Sequence, residues 1–283
     1  MQIIKELSRV EFGSVLLREL IIDCNTHGQT KHLDINGSIE CYQCNDVNIT
    51  TAKAERLKID SQNMKALMTT KMISKGVSIN KGRFSDWQYD GTKNAEQRDK
   101  IAQLQQYSES INSDSPNLII LGRTGTGKTM LANAIAINQY LRKEQSLPSE
   151  LNSYNQQDFY DHTCELITSF NIGSQARARW GKPQESENDY LRNLVTNELL
   201  IIDDLGAYDG HIKDRERINH IIESRYIQRA PTIITTNMDV NGLREFLRDR
   251  AWDRLHENLL VMVCDWDSYR AKNAVIQLVG STK

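Results

Sequence analysis

The chain has 283 residues, 39% of them hydrophobic, and a formal net charge of -2. That is apolar material enough for one domain of ordinary size and a smaller companion. The near-neutral balance excludes a protein that coats nucleic acid by bulk charge, so contact with nucleic acid requires a local patch. No apolar run approaches the roughly 20 residues that span a bilayer. Residues 1–22 mix Glu, Lys and Arg among apolar positions with no small-residue cleavage site, so neither a signal peptide nor a membrane partner is expected, and the protein is placed in the cytoplasm.

In the first segment Ile3, Ile4, Leu7, Val10, Phe12, Val15, Leu16, Leu20 and Ile21 fall near helical spacing. They predict a helix leading into a cysteine cluster. Cys24-x2-His27 and Cys41-x2-Cys44 form two ligand pairs with thirteen residues between His27 and Cys41. Three thiolates and an imidazole in a closed set are what structural Zn²⁺ takes, in a short segment that gains its fold from the metal. His32 is an alternative to His27, and chance clustering is the alternative to a site. Five cysteines are an odd number for a disulfide framework. Cys164 and Cys264 sit in apolar strand patterns and read as buried structural thiols.

Residues 1–50 are therefore expected to be a zinc-binding, partner-recognition module. Residues 51–82 read as a basic helical linker, with Leu57, Met64, Leu67, Met68 and Met72 in helical register before a stop at Gly76. From Lys53 to Arg83 there are eight basic and two acidic residues, either a solvated helical face or a surface for nucleic acid or an acidic partner.

A second expected domain, 83–283, opens with a helix at about 94–111. Apolar runs at Leu118–Leu121, Leu199–Ile202, Thr232–Thr235 and Leu259–Val263 then alternate with helical patterns, among them 214–229 and 240–256. This is the signature of an α/β fold, a parallel sheet sandwiched by helices. Only 145–160 reads as a loose loop.

Within that frame Gly122-Arg123-Thr124-Gly125-Thr126-Gly127-Lys128-Thr129 fits G-x-x-x-x-G-K-[ST], with a strand before it and a helix after it. The glycines let consecutive backbone N–H groups surround phosphate oxygens, Lys128 reaches the β and γ phosphates of ATP, and the Thr129 hydroxyl ligates Mg²⁺. The apolar strand ending in Asp203-Asp204 supplies the acidic half. Asp203 is the candidate Mg²⁺ residue and Asp204 the one that orients or deprotonates the attacking water. The strand ending Thr235-Thr236-Asn237 could place an amide beside that water.

These motifs, followed by Arg250-Ala-Trp-Asp-Arg254 and by Trp266-Asp-Ser-Tyr-Arg270, resemble in their order the DnaC/IstB group of AAA+ proteins. The Trp-Asp-Ser-Tyr-Arg ending is most similar to DnaC-type replicative helicase loaders, some of which carry a comparable cysteine and histidine cluster. The resemblance covers roughly residues 83–275. It implies an AAA+ P-loop core, Asn237 as sensor 1, Arg270 as sensor 2, and Arg250 and Arg254 as an arginine pair, one member acting on ATP held by the neighbouring subunit. It further implies a hexameric replicative DNA helicase as partner, single-stranded DNA as ligand, and self-association into an open ring or spiral. Two features depart from the wider pattern: the second acid is Asp204 rather than Glu, and only 29 residues follow Arg254, leaving little room for a helical lid.

Arg177, Arg179 and Lys182 around Trp180 offer a place where cations and a stacking ring could meet single-stranded DNA. Against the loader stand a transposition helper ATPase of the IstB type and an ATP-gated DNA- or protein-binding scaffold with negligible hydrolysis. A P-loop kinase is a weaker option, because it gives no reason for Asn237, Arg250 and Arg254 to follow in this order.

Overall fold

The computed structural model describes residues 2–12, 15–25, 27–35, 38–41, 62–89, 94–146, 159–182, 186–207 and 212–272. Its contacts divide the chain into two units, Met1–Lys65 and Ala66–Lys283.

The first unit replaces the expected helix with an antiparallel meander: β1 (Gln2–Phe12), β2 (Val15–Cys24), β3 (Gly28–Ile35) and β4 (Ser38–Cys41), paired in that order. Phe12 faces Val15 and Ile35 faces Ser38, so two residues separate the strands at each of these reversals. Gly13-Ser14 and Asn36-Gly37 occupy those positions, and such pairs favour two-residue hairpins because they accept positive φ. Leu20 and Cys24, four residues apart on β2, share a face and are both buried.

Of the expected zinc ligands, the described residues include Cys24, His27 and Cys41. Cys24 Sγ lies 3.9 Å from His27 Nδ1, close enough for a shared contact. Cys24, however, pairs with Gly28, whereas Cys41 pairs with His32. Four residues along β3 are roughly 13 Å and two strand spacings add about 9–10 Å, so the cysteines stand roughly 16 Å apart. Cys44 lies outside the described residues, and among the described residues no three His, Cys, Asp or Glu side chains group to hold a metal ion.

From Ala66 on, in the second unit, the helix over 62–74 (α1) buries Met68 and Met72 along one face and stops at Gly76, the expected position. Gly76 has φ +79, and a Cβ there would meet the Leu166 carbonyl oxygen at 2.1 Å. Lys71 pairs with Asp161 and Lys75 with Glu165, so two cations of the basic segment are spent inside the fold.

Then follow α2 (Asn94–Glu109), β5 (Asn117–Gly122), α3 (Lys128–Gln145), β6 (Cys164–Thr168), α4 (Ser169–Arg177), α5 (Glu187–Thr196), β7 (Leu199–Leu205) and α6 (Ile212–Ile227). The unit closes with β8 (Thr232–Thr236), α7 (Val240–Phe246), α8 (Asp249–His256), β9 (Leu259–Cys264) and α9 (Tyr269–Lys272). The five strands lie parallel in the order β6-β7-β8-β5-β9. Central strands buried on both faces explain the unbroken apolar runs of the sequence: Ile119, Ile120, Ile201, Ile202, Ile233 and Ile234 are each 0% exposed. Ile119, Ile202 and Ile234 pack against residues of α4 to α8, and the alternate strand residues turn toward α3. This is the α/β fold the sequence predicts, a parallel sheet sandwiched by helices with the P-loop after its β5 strand. The helix expected over 240–256 is interrupted at Leu247 and Arg248, both extended. Among the described residues no helix is long and apolar enough to cross a membrane.

Candidate nucleotide site

Parallel sheets bind ligands beyond the carboxyl ends of their strands, where connecting loops converge. There β5 runs into the phosphate loop and α3 begins at Lys128, so the positive end of an 18-residue helix faces the loop. Gly125 and Gly127 have φ +85 and +93. A Cβ on Gly125 would stand 2.0 Å from Ser268 Oγ, and one on Gly127 would stand 2.6 Å from the Trp87 ring. Only glycine serves at either position. Thr126 is fully buried, its hydroxyl donating to Arg123 O at 2.9 Å, while Arg123 and Thr124 are exposed.

Lys128 Nζ donates to Gly122 O (2.8 Å), Arg123 O (2.9 Å) and Asn237 Oδ1 (2.6 Å). Burial lowers its pKa and Arg270 acts in the same direction, against the pull of Cys264, Asp204 and Asp203. Thr129 Oγ1 lies 3.0 Å from both carboxylate oxygens of Asp203. A hydroxyl and a carboxylate converging in this way are suited to a hard cation such as Mg²⁺.

The paired acids sit on a bulge. Ile202 pairs with Ile234 and Leu205 with Thr236, so Asp203 and Asp204 oppose Thr235 alone. Thr235 Oγ1 donates to Asp203 Oδ1 at 2.6 Å and accepts from Asp204 N at 2.9 Å. Asp204 takes φ +55, and Asn237 Nδ2 donates to its Oδ1 at 3.4 Å. One hydroxyl thus holds the Asp203 carboxylate and the Asp204 backbone, with Asp203 buried and Asp204 half-buried at the cavity wall.

Trp87, Lys128, Thr129, Asp204, Asn237 and Arg270 line a common cavity of about 840 Å³. Arg250 and Arg254 are elsewhere, on α8, where both approach Glu223 Oε2, at 3.2 and 3.1 Å. The Arg250 side chain is 71% exposed, whereas that of Arg254 is 18% exposed and lies over the Tyr226 ring. The structure therefore unites the P-loop, the acids, Asn237 and Arg270, but not Arg250 and Arg254. Sequence reading missed Thr235, Glu223 and Trp87. Thr235 was visible only as one letter of a strand end, and the other two lie far from any motif.

Cys264 packs beside Gly122, and burial pushes its thiol up to about 12; Cys164, at 0% exposure, is pushed higher. Both stay neutral near pH 7 and are shielded. Native protein treated with iodoacetamide should therefore carry no adduct on either residue by mass spectrometry, and guanidinium-unfolded protein should carry both. An adduct on native Cys264 would contradict this packing.

No protein-family model matches the chain. A segment of 177 residues, 62% of this chain and 65% of the relative, is 28% identical to the replicative helicase loader DnaC of Escherichia coli strain K12. Over 176 residues, 62% of this chain and 64% of the relative, the identity to DnaC of Buchnera aphidicola subsp. Schizaphis graminum is also 28%. The chain thus matches somewhat under two thirds of the length of these proteins. Among solved structures, the crystal structure of the DnaC helicase loader is 18% identical with a TM-score of 0.47, covering 64% of this chain and 96% of that one.

Proposed function

We propose, from the premise that this chain is a DnaC-like AAA+ protein, that it loads a hexameric replicative DNA helicase onto single-stranded DNA and that ATP hydrolysis between its subunits drives release. The observation carrying this reading is a nucleotide cavity with P-loop, acids and sensor residues in place while Arg250 and Arg254 stand outside it. A site built in this way calls for a second copy to bring an arginine.

In this reading the loop amides and Lys128 hold the phosphates. Thr129 and Asp203 would hold Mg²⁺, which neutralises charge on the β and γ oxygens. Asp204 accepts the proton of the attacking water as the bond from the γ-phosphorus to the β,γ-bridging oxygen breaks and ADP leaves, and Asn237 orients that water. Arg270 steadies the γ-phosphate from the cavity wall. An arginine of the neighbouring subunit meets the charge developing on the transferred group, a contribution worth about 10³ to 10⁵ in rate.

The DNA surface of this reading centres on Trp180. Its ring is 55% exposed, Lys213 Nζ and the Arg217 guanidinium stand 5.2 and 5.8 Å from its centre, and Nε1 donates to Glu187. Arg177 is held by Asp214 and Arg179 lies over Tyr190, so Lys182 and Lys213 are the exposed cations beside it. Replacing Trp180 with alanine should weaken single-stranded DNA binding by about 1–3 kcal/mol. Fluorescence anisotropy at fixed salt measures this, and unchanged affinity would remove Trp180 from the DNA surface.

The function itself is tested by mixing the protein with its host's replicative helicase and circular single-stranded DNA. Helicase retained on the circle only when protein and ATP are both present supports loading. No association with the helicase under any nucleotide condition rejects it.

A further inference from the structure

The phosphate loop is braced from outside by three aromatic residues. Trp266 Nε1 donates to Thr126 O at 2.8 Å, and Tyr269 N donates to Gly125 O at 2.9 Å. Trp87 completes the set, edge-on to Trp266 with ring centres 5.8 Å apart and to Tyr269 with centres 5.3 Å apart. The outer end of its indole, Cη2 and Cζ3, fills the space that a side chain on Gly127 would need.

The segment carrying Trp87 is tied to the same helix as the loop. Asn133, one turn beyond Lys128 on α3, donates through Nδ2 to the carbonyls of Ser78, Lys81 and Gly82 and accepts from Ser78 N at 2.7 Å. The wedge and the loop it presses on therefore share one anchor.

Trp87 is 7% exposed, and its indole N–H has no acceptor among the described residues. A buried donor without a partner destabilises a fold and is uncommon in native proteins. Core packing alone favours phenylalanine there, which carries no such donor. What phenylalanine lacks is reach, because only the bicyclic ring spans from Trp266 and Tyr269 to Gly127.

We propose that Trp87 is a positioning residue for the phosphate loop, its indole wedge setting the Gly125–Gly127 backbone in the form that receives nucleotide. This rests on the reading of the cavity as an ATP site, whose wall the Trp87 ring forms in part. The energetic signature is a conflict: the residue costs stability in the free protein and contributes to binding.

The test is Trp87→Phe in the full chain, with melting temperature and ATP affinity measured in parallel. The free variant should melt at the same temperature or higher while binding ATP about tenfold more weakly, the scale of one misplaced contact. Part of the wild-type change in tryptophan emission on adding ATP should also vanish in the variant, although three of the four tryptophans remain. Equal affinity in a folded variant overturns the proposal and leaves the ATP site standing. Parallel loss of melting temperature and affinity overturns it too, because ordinary packing then suffices. Wild-type protein that binds no ATP in equilibrium dialysis removes the ATP site and the proposal with it.

Discussion

Replacing Lys128 with alanine is expected to lower ATP turnover by about 10² to 10³, the cost of removing one preorganised donor from a charged transition state. Its ammonium satisfies three acceptors, Gly122 O, Arg123 O and Asn237 Oδ1. An arriving γ-phosphate offers it a full negative charge in place of the Asn237 amide oxygen. That exchange frees Asn237, whose Nδ2 already faces Asp204, to hold the water and the acid together. Alanine removes both the phosphate contact and the trigger. The fold should be nearly unaffected, since the three acceptors sit at the cavity and can be hydrated. Phosphate release by the folded variant at wild-type rate would place the chemistry elsewhere.

Arg225→Met is expected to destabilise the second unit by about 3–4 kcal/mol, because several buried carbonyls lose their donor at roughly 1–3 kcal/mol each. Arg225 is 0% exposed and, among the described residues, has no carboxylate partner within hydrogen-bonding distance. Its guanidinium donates to Leu194 O, Val195 O and Asn197 O at the end of α5, to Pro231 O, and to Thr232 Oγ1 at the start of β8. Burial lowers its pKa to about 9, which still leaves it charged at pH 7. One side chain thus closes a helix C-terminus and the base of a strand, and methionine keeps the volume without the donors. At roughly 2–4 °C per kcal/mol for a domain of this size, the melting temperature should fall by about 10 °C. Circular dichroism measures it, and an unchanged transition would show that water replaces the guanidinium.

The difference between the two units in how far their sequence can be read is physical. The second unit is legible because its central strands are buried on both faces and end in chemistry: Ile119–Leu121 runs into the P-loop, Ile201–Ile202 into Asp203, and Ile233–Ile234 into Asn237. Position in the fold and role in the site are then written in the same few letters. The first unit misleads because Leu16 and Leu20, four residues apart, satisfy a helical stripe as well as one face of a strand. The signals that decide between them, Gly13-Ser14 and Asn36-Gly37, are two residues long. Cysteine spacing has the same weakness. Cys-x2-His and Cys-x2-Cys mark a metal site only where the backbone brings the pairs together, and among the described residues no such group is found. Thr235 and Glu223 were unreadable for a different reason, since each acts through a partner distant in sequence, Asp203 in one case and the arginine pair in the other.

The most direct test of the account measures ATP hydrolysis by mixed variants. A Lys128→Ala subunit cannot use its own pocket but still offers Arg250 and Arg254 to a neighbour; a subunit with both arginines changed to alanine keeps its pocket and offers nothing. Each variant alone should be inactive, and their mixture should recover turnover in proportion to the junctions that join an intact pocket to intact arginines. A mixture as inactive as its components, or full turnover by the arginine variant alone, would contradict hydrolysis between subunits.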